Sequence, residues 1–222
     1  MEAHAVSPAA TRTGGASVLL RCGMAAGPFY IVVGLAHALA REGFDMRQYP
    51  LSLLSLGDVG WIQIANFLVS GALVAAGALG VRRLLRGSRA GTWGPILLAL
   101  WAAGLVGAGL FPPDPAPGFP PGASAPPGGI TTVGMLHFVF GALGFYALIA
   151  ACFVFARRFW SLGRRGWAWV SIVTGLGFLA VFMGVASGPA WMLAFYVAVG
   201  WIWVWHTALM ATLAGEAAAA GR

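Results

Sequence analysis

Residues able to do chemistry are scarce in this chain of 222 residues, and most of them lie in two segments between apolar runs. Three of its six carboxylates and two arginines occur in REGFDMRQYPLSLLSLGDVGW, residues 41–61. A fourth carboxylate, Asp114, lies in FPPDPAPGFPPGASAPPGGITT, and His137 follows about one turn into the next apolar run. Histidine and carboxylates that converge within a few ångströms can act as general acid and base, hold a divalent metal or bind a charged group.

The elements that must position these residues are membrane helices. The chain is 59% hydrophobic and 9% charged, with a mean hydropathy of +0.83, whereas charged residues make up about a quarter of soluble domains. A helix crosses ~30 Å of hydrocarbon with about 20 apolar residues, and six runs approach that length, at residues 18–39, 60–81, 94–111, 133–156, 167–187 and 189–213. The sequence predicts an all-α, six-transmembrane-helix bundle at residues 18–213, with a disordered tail at 1–17 and a short tail at 214–222.

Arginines orient the predicted bundle. All 13 basic residues are Arg, and they cluster at the ends of apolar runs. Short cytoplasmic loops carry the Lys and Arg excess; 11 of the 13 arginines fall on one side, and only Arg41 and Arg47 on the other. We therefore expect a multi-pass protein of the cytoplasmic (inner) membrane with both termini in the cytoplasm and long extracytoplasmic loops at residues 40–59 and 112–132. The alternative is a cleaved secretory signal in the first run, where AHALA resembles a cleavage site.

Helical spacing assigns packing faces. Small residues let helices approach closely in lipid, and the first run carries such a stripe at Gly23, Gly27, Tyr30, Gly34 and His37. The fourth run carries another at Gly134, His137, Gly141, Gly144 and Leu148. On the second run, the shared face of Gln63, Asn66, Ser70 and Gly77 should point inward, either as interhelical hydrogen bonding or as the lining of a polar cavity.

Two further patterns concern the cytoplasmic side. The tract WIWVWH at residues 201–206, together with Trp167 and Trp169, predicts an interfacial aromatic belt, with His206 interfacial or packed. Cys22 and Cys152 both fall toward that side and are expected to be packing residues without a disulfide.

The first long loop predicts three local features. Asp45 and Arg47 are close enough in sequence to pair. Pro50 can start a short helix that lies on or dips into the outer leaflet. Asp58 precedes the second run, where the helix dipole favours a carboxylate.

Three motifs carry a resemblance to a known family. GFDMRQYPLSLLSLGDVGWIQIANFLVSG, FPPDPAPGFPPG and GMLHFVFGALGFYALIAACFVFARRF resemble the actinobacterial branch of the integral membrane family catalogued as domain of unknown function 998. The resemblance implies a multi-helix membrane protein of unassigned activity. It implies motif positions at Asp45, Arg47, Ser52, Gly57, Asn66, Asp114 and His137. Tyr49 stands where His is more often expected, which argues against a metal in that loop, and His37 lies outside the motifs.

The leading functional hypothesis is a binding or transport-type protein with an outward-facing polar site for a lipid headgroup, small solute or ion. Its partners would be the lipid bilayer and a lipid or small-molecule ligand. The ligand-binding candidates are Asp45, Arg47, Ser52, Asp58, Asn66, Asp114 and His137. In this hypothesis Arg47 engages an anionic group, while Asp114 and His137 orient or titrate.

Two alternatives stay open. One is a non-catalytic scaffold or partner subunit, in which the polar loop residues cap helices. The other is an outer-leaflet metal-dependent hydrolase or transferase, although no H-E-x-x-H, G-x-S-x-G or C-x-x-C motif is present. A haem between His37 and His137 is geometrically conceivable. The patterns assign no catalytic residue, metal ligand, cofactor or oligomeric state, and nucleic-acid binding is excluded because a contiguous basic face is lacking.

Overall fold

Six long helices build the described part of the protein. The structure is a computed structural model that describes residues 8–220, and in that part of the chain it contains helices and loops but no strand. All six helices are long and apolar enough to cross a membrane, which confirms the predicted all-α architecture. The helices are α1 (Pro8–Ala40), α2 (Trp61–Leu84), α3 (Ala90–Leu110), α4 (Thr132–Ser161), α5 (Arg165–Val185) and α6 (Met192–Ala220).

The helices form a closed ring. Each packs against its neighbours in chain order, and α6 returns to pack against α1, so that the first and last helices close the bundle. The contact between α5 and α6 is the smallest in the ring. Two short 3₁₀ helices lie in the connections, at Leu51–Ser55 and Pro189–Trp191.

The ends of α1 and α6 extend beyond the predicted spans. The first helix begins at Pro8, inside the segment predicted as a disordered tail, and residues 1–7 of that segment lie outside the described residues. The last helix continues through the alanine-rich segment to Ala220, because alanine has the highest helix propensity.

Glycine contacts bring the helices of both predicted stripes close together. A Cβ atom at Gly23 of α1 would lie 2.8 Å from the Cα atom of Gly77 in α2, and one at Gly104 of α3 would lie 2.7 Å from the Cα atom of Gly144 in α4. Only residues without a side chain fit at these two crossings. The packing role predicted for the stripes is confirmed at these positions, and α1 is an integral part of the ring.

The predicted tryptophan belt is wrong for two of its members. Trp203 and Trp205 are buried, whereas Trp201 and Trp169 are exposed. Trp203 stacks on Tyr30 of α1 with ring centroids 4.8 Å apart, and Trp205 donates from Nε1 to Ser171 Oγ of α5 at 3.0 Å. The reason is the closed ring of helices, because α6 presents one face to α1 and another to α5.

His206 is fully buried in α6. Cys22 and Cys152 are free thiols.

Candidate functional site

The two long loops meet in one structure, which we call the loop cap (residues 41–59 and 112–131). Its centre is Phe119, which is fully buried although it lies in the proline-rich loop. Phe44 and Tyr49 of the first loop pack on Phe119 with ring centroids 5.2 and 5.5 Å away. The two loops thus contact each other through aromatic rings rather than through their charged residues.

Polar contacts fasten the loop cap to itself and to the bundle. The Tyr49 hydroxyl donates to the carbonyl of Pro117 at 2.9 Å, and the Tyr196 hydroxyl of α6 donates to the carbonyl of Tyr49 at 2.8 Å. Arg41 donates to the carbonyl of Leu56 at 3.2 Å and lies over the Phe119 ring at 5.7 Å, a cation–π contact. These bonds hold the first loop over the end of the helix ring.

The short helix predicted after Pro50 plugs the bundle. It spans Leu51–Ser55 as a 3₁₀ helix, and its Leu51, Leu53 and Leu54 side chains are buried. It packs against α1 and α2. It therefore dips into the ring instead of lying on the membrane surface.

A cavity of about 190 Å³ lies under this plug and is lined by residues from all six helices. Ser52 and His137 supply polar atoms, and Gly141 of α4 leaves open space, because a Cβ atom there would have no neighbour within 4 Å. The wall is otherwise largely aromatic, formed by Tyr30, Phe67, Trp101, Phe138, Phe145, Phe182, Phe195, Tyr196 and Trp203. Such a lining suits an apolar ligand with a few polar contacts.

His137 joins α4 to the end of α3. Its Nδ1 lies 2.8 Å from the carbonyl oxygen of Phe111 and 3.1 Å from that of Ala108. A carbonyl oxygen can only accept a hydrogen bond, so Nδ1 carries the proton and donates to both of these carbonyls at the C-terminus of α3. The other nitrogen, Nε2, is then an acceptor, and it belongs to a ring that lines the cavity.

Asp114 holds the start of α4. Its carboxylate accepts from the backbone N–H of Thr131 at 2.8 Å and from the Thr131 hydroxyl at 2.6 Å, and the Thr131 Oγ1 accepts in turn from the N–H of Gly134 at 3.0 Å. Any side chain at position 134 would collide with the Asp114 carboxylate. Asp114 is therefore engaged in helix capping.

Asp45, Arg47 and Asp58 lie on the surface of the loop cap. Asp45 accepts from the backbone N–H of Arg47 at 2.8 Å and from the side chain of Gln48 at 2.9 Å, and these bonds lower the pKa of Asp45 below its usual value. The local contact between Asp45 and Arg47 is therefore made through the backbone N–H of Arg47 and not through its guanidinium, since the ion pairs among the described residues involve only Glu216. Asp58 precedes α2 in the chain, as the sequence places it, but Gly60 occupies the cap position of that helix and no side chain bonds there.

Asn66 links α2 to α1. Its amide donates to the carbonyl of Tyr30 at 3.1 Å and to Gln63 Oε1 at 3.3 Å, and its carbonyl oxygen accepts from Ser70 at 3.4 Å. These bonds favour the interhelical hydrogen-bonding interpretation of the polar face of α2 over a polar cavity lining.

A metal or haem centre gains no support from the described residues. They contain no group of three or more His, Cys, Asp or Glu side chains able to hold a metal ion. His37 is buried in α1 but does not line the cavity, and α1 and α4 are not neighbours in the ring. His37 and His137 thus belong to different parts of the bundle.

The family match follows this architecture. A family model described as a protein of unknown function, DUF998, matches residues 24–212. The chain belongs to the DUF998 family. The matched range includes both halves of the loop cap, the residues that line the cavity, the whole of α2 to α5, and most of α1 and α6 of this DUF998 protein. No curated protein and no solved structure matches it.

Sequence reasoning missed four residues that shape this DUF998 site. Phe119, Arg41 and Tyr196 hold the loop cap, and Trp203 forms part of the cavity wall. For Arg41 the sequence held one signal, the motif glycine at position 57. In the structure Gly57 has φ +76°, and a side chain there would collide with the Arg41 guanidinium. The other three contacts join residues far apart in the chain and left no sequence pattern.

Proposed function

We propose that this DUF998 protein binds a lipid-like amphiphile, with the apolar chain in the aromatic cavity and the polar end against Ser52 and His137. The observation that carries the proposal is the cavity itself, which is lined by residues from all six helices and by the 3₁₀ plug. The sequence hypothesis was an outward-facing polar site. The proposed site is instead largely apolar, with polar atoms only at its edge.

The size of the cavity supports one chain as its occupant. Pockets that enclose drug-sized ligands are about 300–1,000 Å³, and this cavity of about 190 Å³ is smaller. One acyl or isoprenoid-type chain fits better than a whole phospholipid. The weak contact between α5 and α6 offers such a chain an entrance from the bilayer.

The polar edge supports an oxygen-bearing headgroup. With its Nδ1 proton committed to Phe111 and Ala108, His137 presents Nε2 as an acceptor for a hydroxyl or protonated acid. Ser52 adds a hydroxyl that can donate or accept. Asp45, Arg47, Asp58, Asn66 and Asp114 remain predicted contacts only, and the bonds of Asn66 and Asp114 already occupy their polar atoms.

The proposal includes a place in the cell. Eight arginines lie at the end of the helices opposite the loop cap, four at the end of α2 and in the turn that follows it, and four at the junction of α4 and α5. Basic residues favour the cytoplasmic side. We therefore assign the loop cap to the extracytoplasmic face of the cytoplasmic membrane and the arginine-rich end to the cytoplasm.

The test fills the cavity without breaking the fold. Gly141→Leu places a side chain in the open space, and Gly177→Leu is the matched control, since Gly177 is exposed on α5 and also has no neighbour within 4 Å. Native mass spectrometry of the detergent-purified proteins is read for a one-to-one bound lipid-like mass. We expect it in wild type and in Gly177→Leu, and its loss in Gly141→Leu.

A second readout uses a defined probe. cis-Parinaric acid titrated into the purified protein should show energy transfer from Trp101 and Trp203, and Gly141→Leu should weaken binding by about tenfold or more, equivalent to ~1.4 kcal/mol. His137→Asn keeps a donor near the Nδ1 position and removes the Nε2 acceptor, so it tests the polar edge separately. Equal binding by the Gly141 and Gly177 variants would rule out the cavity as the site.

The second candidate function is a scaffold or partner subunit. The capping by Asp114 and the interhelical bonds of Asn66 favour it, because they show that predicted site residues serve the fold. A wild-type protein that carries no bound mass and binds no cis-parinaric acid would support this function.

A further inference from the structure

A second recess lies at the arginine-rich end of the bundle. It is a groove of about 1130 Å³ between the α2–α3 turn and the last turns of α4. It shares no lining residue with the aromatic cavity. Its chemistry therefore has to be considered by itself.

The groove has a cationic end without matching anions. Arg86 and Arg89 of the turn and Arg157 of α4 line it, and all three are exposed. In the described part of the chain none of the three forms an ion pair. Arg158, at the back of the groove, is paired with Glu216 at 2.6 Å, and Glu216 also binds Arg164 at 2.8 Å. The one carboxylate nearby is thus fully engaged, and the excess positive charge faces the groove.

The rest of the groove is apolar and reaches along the spans. Leu84, Phe153, Val154 and Ile172 line it, and Trp93 and Trp160 flank it with more than half and nearly half of their surface exposed. Exposed tryptophans at helix ends are typical of the headgroup level of a bilayer. Charge at one end and apolar surface at the other match a phospholipid, whose phosphate and chain have the same arrangement.

We propose that this groove binds the phosphate group of an anionic lipid, with Arg86, Arg89 and Arg157 on the phosphate and the chain along Phe153 and Ile172. Arginine suits this role because its planar guanidinium donates two parallel hydrogen bonds to phosphate oxygens. Basic pockets between membrane helices bind anionic headgroups in this way. The binding is independent of the aromatic cavity.

The experiment compares two variants of equal charge. Arg86→Gln/Arg157→Gln removes two positive charges from the groove, and Arg83→Gln/Arg165→Gln removes two from the same end outside the groove. The full-length purified proteins are titrated with dioleoylphosphatidylglycerol, dioleoylphosphatidylcholine and sodium phosphate, and binding is read by native mass spectrometry. Wild type should prefer phosphatidylglycerol to phosphatidylcholine, and the groove variant should lose about 30-fold in phosphatidylglycerol affinity, the loss expected for two arginines near a membrane surface.

Each outcome has a defined meaning. The control variant should lose little phosphatidylglycerol affinity. Added salt should weaken phosphatidylglycerol binding by wild type more steeply than binding by the groove variant. If sodium phosphate binds with the same variant dependence and displaces the lipid, the phosphate site is supported and its occupant is a free anion. Equal losses in the two double variants, or no preference for phosphatidylglycerol, overturn the proposal.

Two further variants keep the result interpretable. If the groove double variant fails to fold by circular dichroism, Arg89→Gln alone should weaken phosphatidylglycerol binding by about fivefold. Gly141→Leu, which fills the aromatic cavity, should leave phosphatidylglycerol binding unchanged. Failure of the groove proposal can therefore be distinguished from failure of the cavity proposal.

Discussion

At the scale of single residues, Asp114 illustrates how a charged loop residue can serve the fold. Its two bonds to Thr131 fix the residue that caps α4. We expect Asp114→Ala to lower the free energy of unfolding by about 1–2 kcal/mol, as for the loss of other helix caps, without changing bound lipid. Thermal melting with native mass spectrometry measures both.

Asp58→Ala is the matched control, since Asp58 is an exposed carboxylate of the loop cap that does not cap α2. Its melting temperature should equal that of wild type. If Asp114→Ala melts like wild type and releases the bound mass, Asp114 is instead a ligand contact.

Asp45 gives the loop cap a pH dependence. The N–H of Arg47 and the amide of Gln48 donate to its carboxylate, so its folded-state pKa lies below the ordinary value of 3.8. A lowered folded pKa stabilises the protein above the unfolded value, and this contribution is lost as the pH falls through the folded value. The melting temperature of Asp45→Ala should be below that of wild type at pH 7, and the gap should close below about pH 3.8. A gap that stays constant over that range would contradict the role of the ionised carboxylate.

At the scale of elements, the loop cap depends on Phe119. This side chain is fully buried among Phe44, Tyr49 and Arg41, and replacing such a phenylalanine by alanine costs about 3–5 kcal/mol in a well-packed core. We expect Phe119→Ala to open the cap locally while the helix ring stays folded. Limited proteolysis should then cleave within residues 112–131, where wild type resists. Ile130→Ala, which alters an exposed residue of the same loop, should behave like wild type.

The helices were predictable because their signal is local. Each apolar run long enough to cross a bilayer became a helix, and the glycine stripes marked real crossings such as Gly23 with Gly77. The predicted sixth span ended at residue 213, although the alanines that follow favour a helix. What the sequence did not indicate is that Glu216 bonds to Arg158 and Arg164, more than 50 residues away. Pairing between distant residues leaves no periodicity in the sequence.

The candidate site was predicted less well, for a physical reason. Sequence reasoning selected polar and charged residues. Of these, His137 and Ser52 line the cavity, while Asp114 and Asn66 form bonds within the fold. The cavity wall is mostly aromatic and comes from every helix. Its existence depends on the order of helices around the ring, and that order follows from the return of α6 to α1.

At the scale of the whole molecule, the ring separates two kinds of chemistry. The loop-cap end contains a cavity with a largely aromatic wall, and the opposite end has arginines around an open groove. An amphiphile in the cavity and an anionic lipid in the groove would contact the protein in opposite leaflets. Both proposals therefore depend on how the protein sits in the membrane, which can be measured directly.

The topology prediction uses single cysteines. In a background lacking Cys22 and Cys152, Ser124→Cys places a thiol on the exposed part of the loop cap and Leu162→Cys places one in the exposed turn before α5. A membrane-impermeant maleimide should label Ser124→Cys in intact cells and Leu162→Cys only after permeabilisation. The reason is that an excess of arginine favours the cytoplasmic side for the end of the bundle that carries it. The reverse pattern would place the aromatic cavity in the cytoplasmic leaflet and the arginine groove outside. Phosphatidylglycerol binding by the purified protein would stand, but the anionic surface of the cytoplasmic leaflet would no longer supply the groove with its lipid.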